Sequence, residues 1–252
     1  MTLFHITFLI TVICGTIFAS LHEFVAAALV AIGFVILGGF GVAVPQLRFF
    51  GPFICRASHF HGRKAVALTF DDGPDPRSTP RLLEILREAK IRAAFFCIGK
   101  RVEAHPELAA QIVREGHLLE NHTYTHSNFT NFFAVARLQK EMADTQEIIR
   151  KSSGTVPVYF RPPMGLSNPR TFRAARNVGL QVIGWTIRSL DTITRDPQKI
   201  VARIRRRLHL GAVILLHDGN IPVGQLEPTV KSLLDTLRGA GYEIVRLDEL
   251  LK

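Results

Sequence analysis

Short apolar runs alternate with amphipathic segments from residue 65 onward, and this alternation restricts the fold more than any other feature. The candidate strands are residues 65–70, 93–98, 117–120, 156–160, 181–185, 212–216 and 242–247. The candidate helices between them are residues 80–90, 106–115, 133–151, 169–177, 197–209 and 228–238. Most of these helices begin with proline, which is favoured at the first helical position. Strands separated by helices are typical of a parallel sheet, and this number of repeats favours an α/β fold closed as a (β/α) barrel of about seven strands.

Two long apolar stretches precede this pattern. Residues 3–21 and 24–44 are nearly uninterrupted apolar runs separated by His22 and Glu23. Each run has about the length that a helix needs to cross a bilayer core. A secretory signal peptide would carry basic residues before its apolar core, whereas the first lysine or arginine of this chain is Arg48. We therefore predict a transmembrane helical hairpin over residues 1–45, with one longer bent or re-entrant anchor as the alternative.

Basic residues follow directly after the second apolar stretch. Arg48, Arg56 and Arg63 lie in a predicted basic juxtamembrane linker over residues 46–63, and Lys64 begins the α/β domain that is predicted over residues 64–252. Basic residues beside membrane helices favour the cytoplasmic side. A hairpin in the inner (cytoplasmic) membrane would then place the α/β domain in the cytoplasm. A single crossing would place that domain outside.

The chain is strongly basic, with a formal net charge of +10 and a pI near 10.1. The most basic run is residues 203–207. On a helix, Ile200, Ile204 and Leu208 form the buried row of this segment, and its arginines face solvent. No nucleic-acid-binding motif accompanies the run, so we predict membrane lipids as partners and no nucleic acid. The three cysteines indicate no disulfide framework, and no protein partner is predicted.

Residues 69–74 read Thr-Phe-Asp-Asp-Gly-Pro and end the first candidate strand. Two adjacent carboxylates followed by a Gly-Pro turn pack poorly in a core but suit a polar site. Asp71 and Asp72 alone would indicate an ordinary solvated turn. Three later segments supply the partners that such a pair needs.

Those three segments are residues 121–127, which contain His122 and His126, residues 160–165, which contain Arg161, and residues 211–219, which contain His217. Two histidines four residues apart would lie on one face of a helical turn, where both can bind one metal ion with a carboxylate as third ligand. Arg161 lies in a proline-stiffened loop. His217 ends an apolar strand and can exchange protons near neutral pH.

In this order the four segments resemble the polysaccharide deacetylase superfamily, the NodB-homology domain of carbohydrate esterase family four. The resemblance covers roughly residues 64–252 and rests on a TFDDGP strand end, a His-Thr-x-x-His segment, an Arg-x-Pro-x-Gly loop and a Leu-Leu-His-Asp strand end. It implies a distorted (β/α) barrel, a divalent metal ion that is commonly zinc, and an N-acetylated sugar as substrate.

The resemblance also implies a role for each matching residue. Asp72, His122 and His126 would bind the metal, Asp71 would be the general base, and Arg161 would orient that base. His217 would be the general acid. The residues assigned to substrate contact are Pro163, Met164, Leu216 and Trp185, with Leu215 or Leu216 lining the pocket for the acyl methyl group.

Two positions depart from the family pattern. Many members have tyrosine where Met164 stands, so a hydroxyl contact with the substrate is lost. The fourth motif commonly carries acidic and aromatic residues where this chain has Arg188 and Thr192, although Asp191 remains and is assigned to tune His217. We interpret these departures as altered substrate recognition.

The sequence therefore predicts a membrane-anchored, metal-dependent hydrolase that removes N-acetyl groups from an amino sugar of a cell-envelope glycan or a lipid-linked saccharide. N-deformylation or O-deacetylation of a similar glycolipid is an alternative within the same chemistry. A catalytically inactive membrane-attached sugar-binding protein is the alternative from another class.

Overall fold

The computed structural model of the protein describes residues 2–57 and 64–252. Two helices begin the chain, α1 (Leu3–Ser20) and α2 (Phe24–Ala43). They pack against each other, with Phe34 of α2 between Phe4 and Phe8 of α1. No residue of α1 and only Gly41 of α2 is buried. By length and composition both helices are able to cross a membrane, although a signal sequence has the same properties.

The rest of the described chain forms a curled half-barrel of parallel strands. The strands are β1 (Ala65–Asp71), β2 (Ala94–Cys97), β3 (Leu118–Asn121), β4 (Tyr159–Phe160), β5 (Gln181–Val182), β6 (Ile187–Arg188), β7 (Ala212–His217) and β8 (Glu243–Ile244). Their order is β5-β4-β3-β2-β1-β7-β6, and β8 pairs with the first residues of β1. The predicted distorted (β/α) barrel is confirmed, with a short strand β6 that periodicity did not indicate.

Helices cover the outer face of the sheet. They are α3 (Thr79–Glu88), α4 (Gly99–Ala104), α5 (Pro106–Arg114), α6 (Val135–Ser153), α7 (Pro169–Asn177), α8 (Pro197–Arg205), α9 (Val223–Gly239) and α10 (Leu247–Leu250). The sequence did not indicate α4. Helix α9 begins before Pro228, the residue at which its start was predicted. Burial of Leu226, Val230 and Leu233 along its inner face offsets the backbone hydrogen bond that the proline removes.

The strands divide the core into an outer and an inner layer. Phe70 and Ile214 belong to the outer layer, which packs against the helices. Ala67, Phe96 and Val213 belong to the inner layer. The division follows from the alternation of side chains along a strand. Because Asp71 pairs in register with His217, both side chains end the inner rows of neighbouring strands.

The segment after α2 crosses the open side of the half-barrel, between β5 and β6. Ile54 pairs with Ile183, and Arg56 pairs with Ala212 at the start of β7. Phe49 and Phe53 are fully buried in a cluster with α7. Residues 46–57 of the predicted linker are therefore packed on the barrel, because their aromatic side chains cover its edge. Residues 58–63 of that linker lie outside the described residues.

Candidate active site

Four strand ends bring the predicted polar residues to one rim of the half-barrel. Asp71 ends β1, His122 follows β3, Arg161 follows β4, and His217 ends β7. Parallel strands place their carboxyl ends at the same edge, which is where barrel folds build their sites. The structure therefore brings together residues that are as much as 146 positions apart in the sequence.

Asp72, His122 and His126 form a compact cluster at this rim, with their possible ligand atoms all within 4.8 Å of one another. Asp72 Oδ1 lies 3.5 Å from His122 Nε2 and 3.2 Å from His126 Nε2. Burial raises the pKa of Asp72, but the hydrogen bond and charge of His122, with the charge of His126, outweigh it and hold this pKa well below its usual range. The cluster therefore presents an ionised carboxylate and two imidazole nitrogens to one point.

The two histidines do not lie on a helical turn, so that prediction is wrong. Residues 122–127 form a loop in which Thr123 and His126 have positive φ angles of 64° and 50°. Glu141 of α6 holds this loop, since its carboxylate accepts hydrogen bonds from the backbone N–H groups of Tyr124 and Thr125 and from the Thr125 hydroxyl. The positive φ angles at two residues of this loop direct both histidine side chains towards Asp72. A regular helical turn would not contain such residues.

We expect replacement of Glu141 by alanine to lower zinc affinity by about 10–100-fold, the effect typical of losing a group that orients a ligand. The reason is that three loop donors lose their common acceptor and His126 is no longer held towards Asp72. Isothermal titration of the metal-free protein with zinc measures the change. Glu147→Ala is the matched control, because Glu147 lies on the same helix and its ion pairs within the described residues are with the exposed Arg150 and Lys151. Equal losses in both variants would contradict the positioning role.

His122 has its orientation fixed from the other side of the ring. Its Nδ1 lies 2.7 Å from the backbone oxygen of Arg161, so the N–H belongs at Nδ1 and the Nε2 lone pair faces Asp72. A hydrogen bond from the second imidazole nitrogen to a carbonyl oxygen is the usual partner of a metal-binding histidine. His122 is 2% exposed. Burial and this bond together leave Nε2 as the only nitrogen available to a ligand.

Arg161 is fully buried and binds Asp71. Its Nη1 lies 2.6 Å from Asp71 Oδ1 and 2.8 Å from the Thr69 hydroxyl, and its Nη2 donates to the Gly184 carbonyl at 3.0 Å. The guanidinium also lies 4.0 Å from the centre of the Phe96 ring. A charge-assisted pair of this kind is short and fixes the orientation of the carboxylate. The second oxygen of Asp71 lies 3.8 Å from His122 Nε2.

His217 forms the corresponding pair on the other side of the site. Its Nδ1 lies 2.8 Å from Asp191 Oδ1, and its backbone N–H donates to Asp191 Oδ2 at 2.8 Å. Burial disfavours the charged imidazole, but the hydrogen bond and charge of Asp191 outweigh it and raise the pKa of His217 to about 9. Ser189 and Gln225 hold Asp191 in turn. The altered fourth motif therefore retains its contact with His217.

The residues predicted to contact substrate lie around the Arg161 loop, with one exception. Pro163 is buried, Met164 is 46% exposed, and the Trp185 ring packs under Gly165 so closely that a Cβ there would lie 2.2 Å from it. Leu216 belongs to the outer layer, so its assignment to the acyl pocket is wrong. Side chains alternate along β7, and it is Leu215 that shares the inner layer with Trp185.

Asp218 is a buried acid of the site to which the sequence assigned no role. Its carboxylate accepts a hydrogen bond from the Thr79 hydroxyl at 2.5 Å, and burial raises its pKa to about 7. It fits against Gly73, where a Cβ would lie 2.4 Å from Asp218 Oδ2. The sequence feature that could have identified Asp218 is its position directly after His217, at the end of a strand.

The sequence of this chain is similar to those of known glycan deacetylases. The sequence profile of the polysaccharide deacetylase family matches residues 60–183. A peptidoglycan-N-acetylglucosamine deacetylase of Bacillus cereus is 34% identical over 194 residues, which cover 76% of this chain and 90% of that protein. The chain belongs to the polysaccharide deacetylase family. It is accordingly a hydrolase that acts on amide bonds of glycans.

Solved structures of polysaccharide deacetylases share the fold. The peptidoglycan deacetylase PdaC of Bacillus subtilis has a TM-score of 0.68 and 32% identity, over 75% of this chain and 90% of that one. A mutant of a CE4 family pseudoenzyme of Bacillus anthracis, with restored enzymatic activity, has a TM-score of 0.73 and 28% identity, over 82% of this chain and 74% of that one. A deacetylase and a pseudoenzyme of this family thus share the fold, so the fold alone does not establish activity.

Proposed function

We propose that this polysaccharide deacetylase removes the N-acetyl group from an amino sugar of a cell-envelope glycan or a lipid-linked saccharide, with a divalent metal ion. The observation that carries the proposal is the cluster of Asp72, His122 and His126 at the same rim as two charged pairs, the buried Asp71 with Arg161 and the largely buried His217 with Asp191. The named activities of the relatives, peptidoglycan and chitooligosaccharide deacetylation, support the substrate class.

The residues of the cluster fit zinc. Two imidazole nitrogens and one carboxylate oxygen are a donor set typical of catalytic zinc sites, which keep further positions open. His122 is restricted to Nε2 by its bond to the Arg161 carbonyl, and the pKa of Asp72 is held low, so both present unprotonated donor atoms. A bound divalent ion would polarise the amide carbonyl and make an attacking water more acidic.

Asp71 is the proposed general base. Its carboxylate faces the cluster and is oriented by the buried Arg161, so it is placed to accept the proton of the attacking water. The water oxygen bonds to the carbonyl carbon, and negative charge develops on the carbonyl oxygen. A backbone N–H of the loop at residues 162–165 would stabilise that charge. Pro163 and the buried Trp185 keep this loop in place.

His217 is the proposed general acid. Once the tetrahedral carbon has formed, the C–N bond breaks and the amine nitrogen leaves with a proton from the imidazolium. The products are acetate and a free amino sugar. Asp191 keeps His217 protonated at neutral pH and orients its ring. Leu215 and Trp185 would line the pocket for the acyl methyl group.

We expect Asp191→Asn to move the alkaline limit of activity to lower pH. Asp191 raises the pKa of His217 to about 9, above the ordinary value of 6.5. The protonated acid is therefore present below this pKa and is lost as the pH rises through it, and the loss comes earlier without the Asp191 charge. The pH profile of kcat for the metal-loaded protein measures the shift. Asp196→Asn, at the exposed start of α8, is the control, and an identical alkaline limit in both variants would contradict the role of Asp191.

We also propose that α1 and α2 anchor the protein in the inner membrane with the catalytic domain on the cytoplasmic face. Arg48 and Arg56 directly after α2 support this orientation. A peptidoglycan substrate would require the opposite face, because that polymer lies outside the inner membrane. A topology reporter fused to the C-terminus distinguishes the two orientations.

The enzymatic proposal is tested by measuring acetate, formate and ester-derived acid released from envelope glycans and lipid-linked sugars. Acetate from an N-acetyl substrate, lost on metal chelation and restored by zinc, is the expected result. Formate alone would assign deformylation. No release from any substrate by the zinc-loaded protein would favour an inactive sugar-binding protein.

A further inference from the structure

Exposed apolar side chains surround the mouth of the site. Phe129 and Phe132 are 69% and 74% exposed, and they are the only exposed aromatic side chains in the described part of the barrel domain. Both lie in the loop that follows His126 at the carboxyl end of β3. Met164, 46% exposed, lies in the neighbouring loop after β4. A cluster of large exposed apolar side chains typically marks a site that binds a membrane, another protein or a ligand.

The end of the helical hairpin contacts the same loops. The backbone N–H of Ser167 donates to the carbonyl of Val42, at the end of α2, over 3.4 Å. The next residue, Asn168, donates from its side chain to the carbonyl of Asn131 at 2.6 Å, between Phe129 and Phe132. Gln46 also donates to the Trp185 carbonyl at 2.7 Å. The hairpin therefore ends at the active-site rim, beside the exposed phenylalanines.

The loops after β3 and β4, together with the starts of α6 and α7 that follow them, are positively charged. Residues 127–139 and 162–173 contain no aspartate or glutamate, and they carry three exposed arginines, Arg137 near the start of α6 and Arg170 and Arg173 near the start of α7. Arg170 also contacts the Asn131 carbonyl, at 3.3 Å. Aromatic residues with arginines beside them are typical of the interface between a bilayer and water, where the arginines attract anionic lipid headgroups.

We propose that Phe129, Phe132 and Met164 form a membrane-facing rim that enters the headgroup region of an anionic bilayer, so that the catalytic mouth opens at the membrane surface. The hairpin and the rim would then contact one continuous lipid surface. The consequence for the substrate, which rests on the proposed function, is that the site receives an amino sugar joined to a membrane lipid. Such a sugar lies at the depth at which the mouth opens.

The position of the rim is tested with the full-length protein in nanodiscs of phosphatidylcholine and phosphatidylglycerol. Phe132→Trp introduces a fluorophore at the rim, and Val156→Trp introduces one at another exposed apolar site before β4, at the opposite end of the barrel. We expect phosphatidylcholine with brominated acyl chains to quench the first variant well beyond the wild-type background of Trp185. We expect the second to match that background. Equal quenching of the two variants would overturn the proposal.

The substrate class is tested by kinetics of Phe129→Ser/Phe132→Ser against Val156→Ser. With N-acetylglucosamine linked through phosphate to a polyprenol in the nanodisc, we expect kcat/KM of the rim variant to fall roughly tenfold. With a water-soluble chitooligosaccharide we expect no change, and the control should match wild type on both substrates. Equal losses on both substrates would identify a sugar-stacking surface and overturn the assignment to lipid. If neither substrate is deacetylated, the proposed function fails, while the quenching result still decides the position of the rim.

Discussion

Replacement of Asp72 by alanine is expected to abolish both zinc binding and deacetylation, whereas Asp71→Asn is expected to abolish turnover while zinc stays bound. Asp72 faces both histidine Nε2 atoms, within 3.5 Å. Asp71 is paired with Arg161 instead, and its free oxygen lies at the edge of the cluster. Loss of a general base typically lowers kcat by about 10²–10⁴-fold, and loss of the metal would remove more.

Zinc content after dialysis, measured beside acetate release, separates the two roles. Asp75→Asn is the matched control, because Asp75 lies on the same loop and pairs with Arg77 outside the cluster. Equal zinc loss from the Asp71 and Asp72 variants would contradict the division between base and ligand. Full activity of Asp71→Asn would remove the base from the mechanism.

Replacement of Arg161 by methionine is expected to destabilise the barrel by about 3–5 kcal/mol, because it leaves Asp71 as an unpaired buried charge. Arg161 is 0% exposed and Asp71 is 3% exposed, so water is not available to replace the pair. Urea unfolding in detergent measures the change in free energy. Trp185, the only tryptophan, reports it directly, because its ring lies 5.7 Å from the guanidinium.

Two further variants make this result specific. The double variant Arg161→Met/Asp71→Asn removes the buried charge as well, so it should recover much of the lost free energy of unfolding. Arg114→Met, at an exposed position of α5, should leave the stability close to wild type. If the double variant is no more stable than Arg161→Met alone, packing of Arg161 against Phe96 accounts for the loss, and the charge pair does not.

The sequence predicted the barrel and the polar set of the rim because both depend on local signals. An apolar run followed by Asp71 and Asp72 marks a strand end, and parallel strand ends meet at one edge. The loop at residues 122–127 was missed because positive φ angles at Thr123 and His126 leave no periodic pattern. Leu216 was misplaced because an apolar run does not reveal which alternate residues face inward. The pairing of β7 with β1 determines which residues face inward, because Leu215 and His217 lie beside Thr69 and Asp71.

Long-range contacts account for the remaining differences. Residues 46–57 were predicted to be part of a linker because of their basic residues. The apolar residues Phe49, Phe53 and Ile54 of the same segment pack on the barrel instead. Their burial depends on an open edge between β5 and β6, which only the assembled barrel has. Likewise, Gln225 reaches the Asp191 carbonyl from α9, 34 positions later in the chain. No local pattern connects such residues.

The segment across the open side of the barrel determines where the autonomous folding unit begins. Phe49 and Phe53 belong to its core, and Ile54 satisfies the backbone of the strand-like residues that follow β5. A fragment starting at the first barrel strand would expose that edge and leave a hollow in the core. The barrel therefore cannot be separated from the hairpin at residue 64. A catalytic unit that is fused to another anchor has to include residues 46–57.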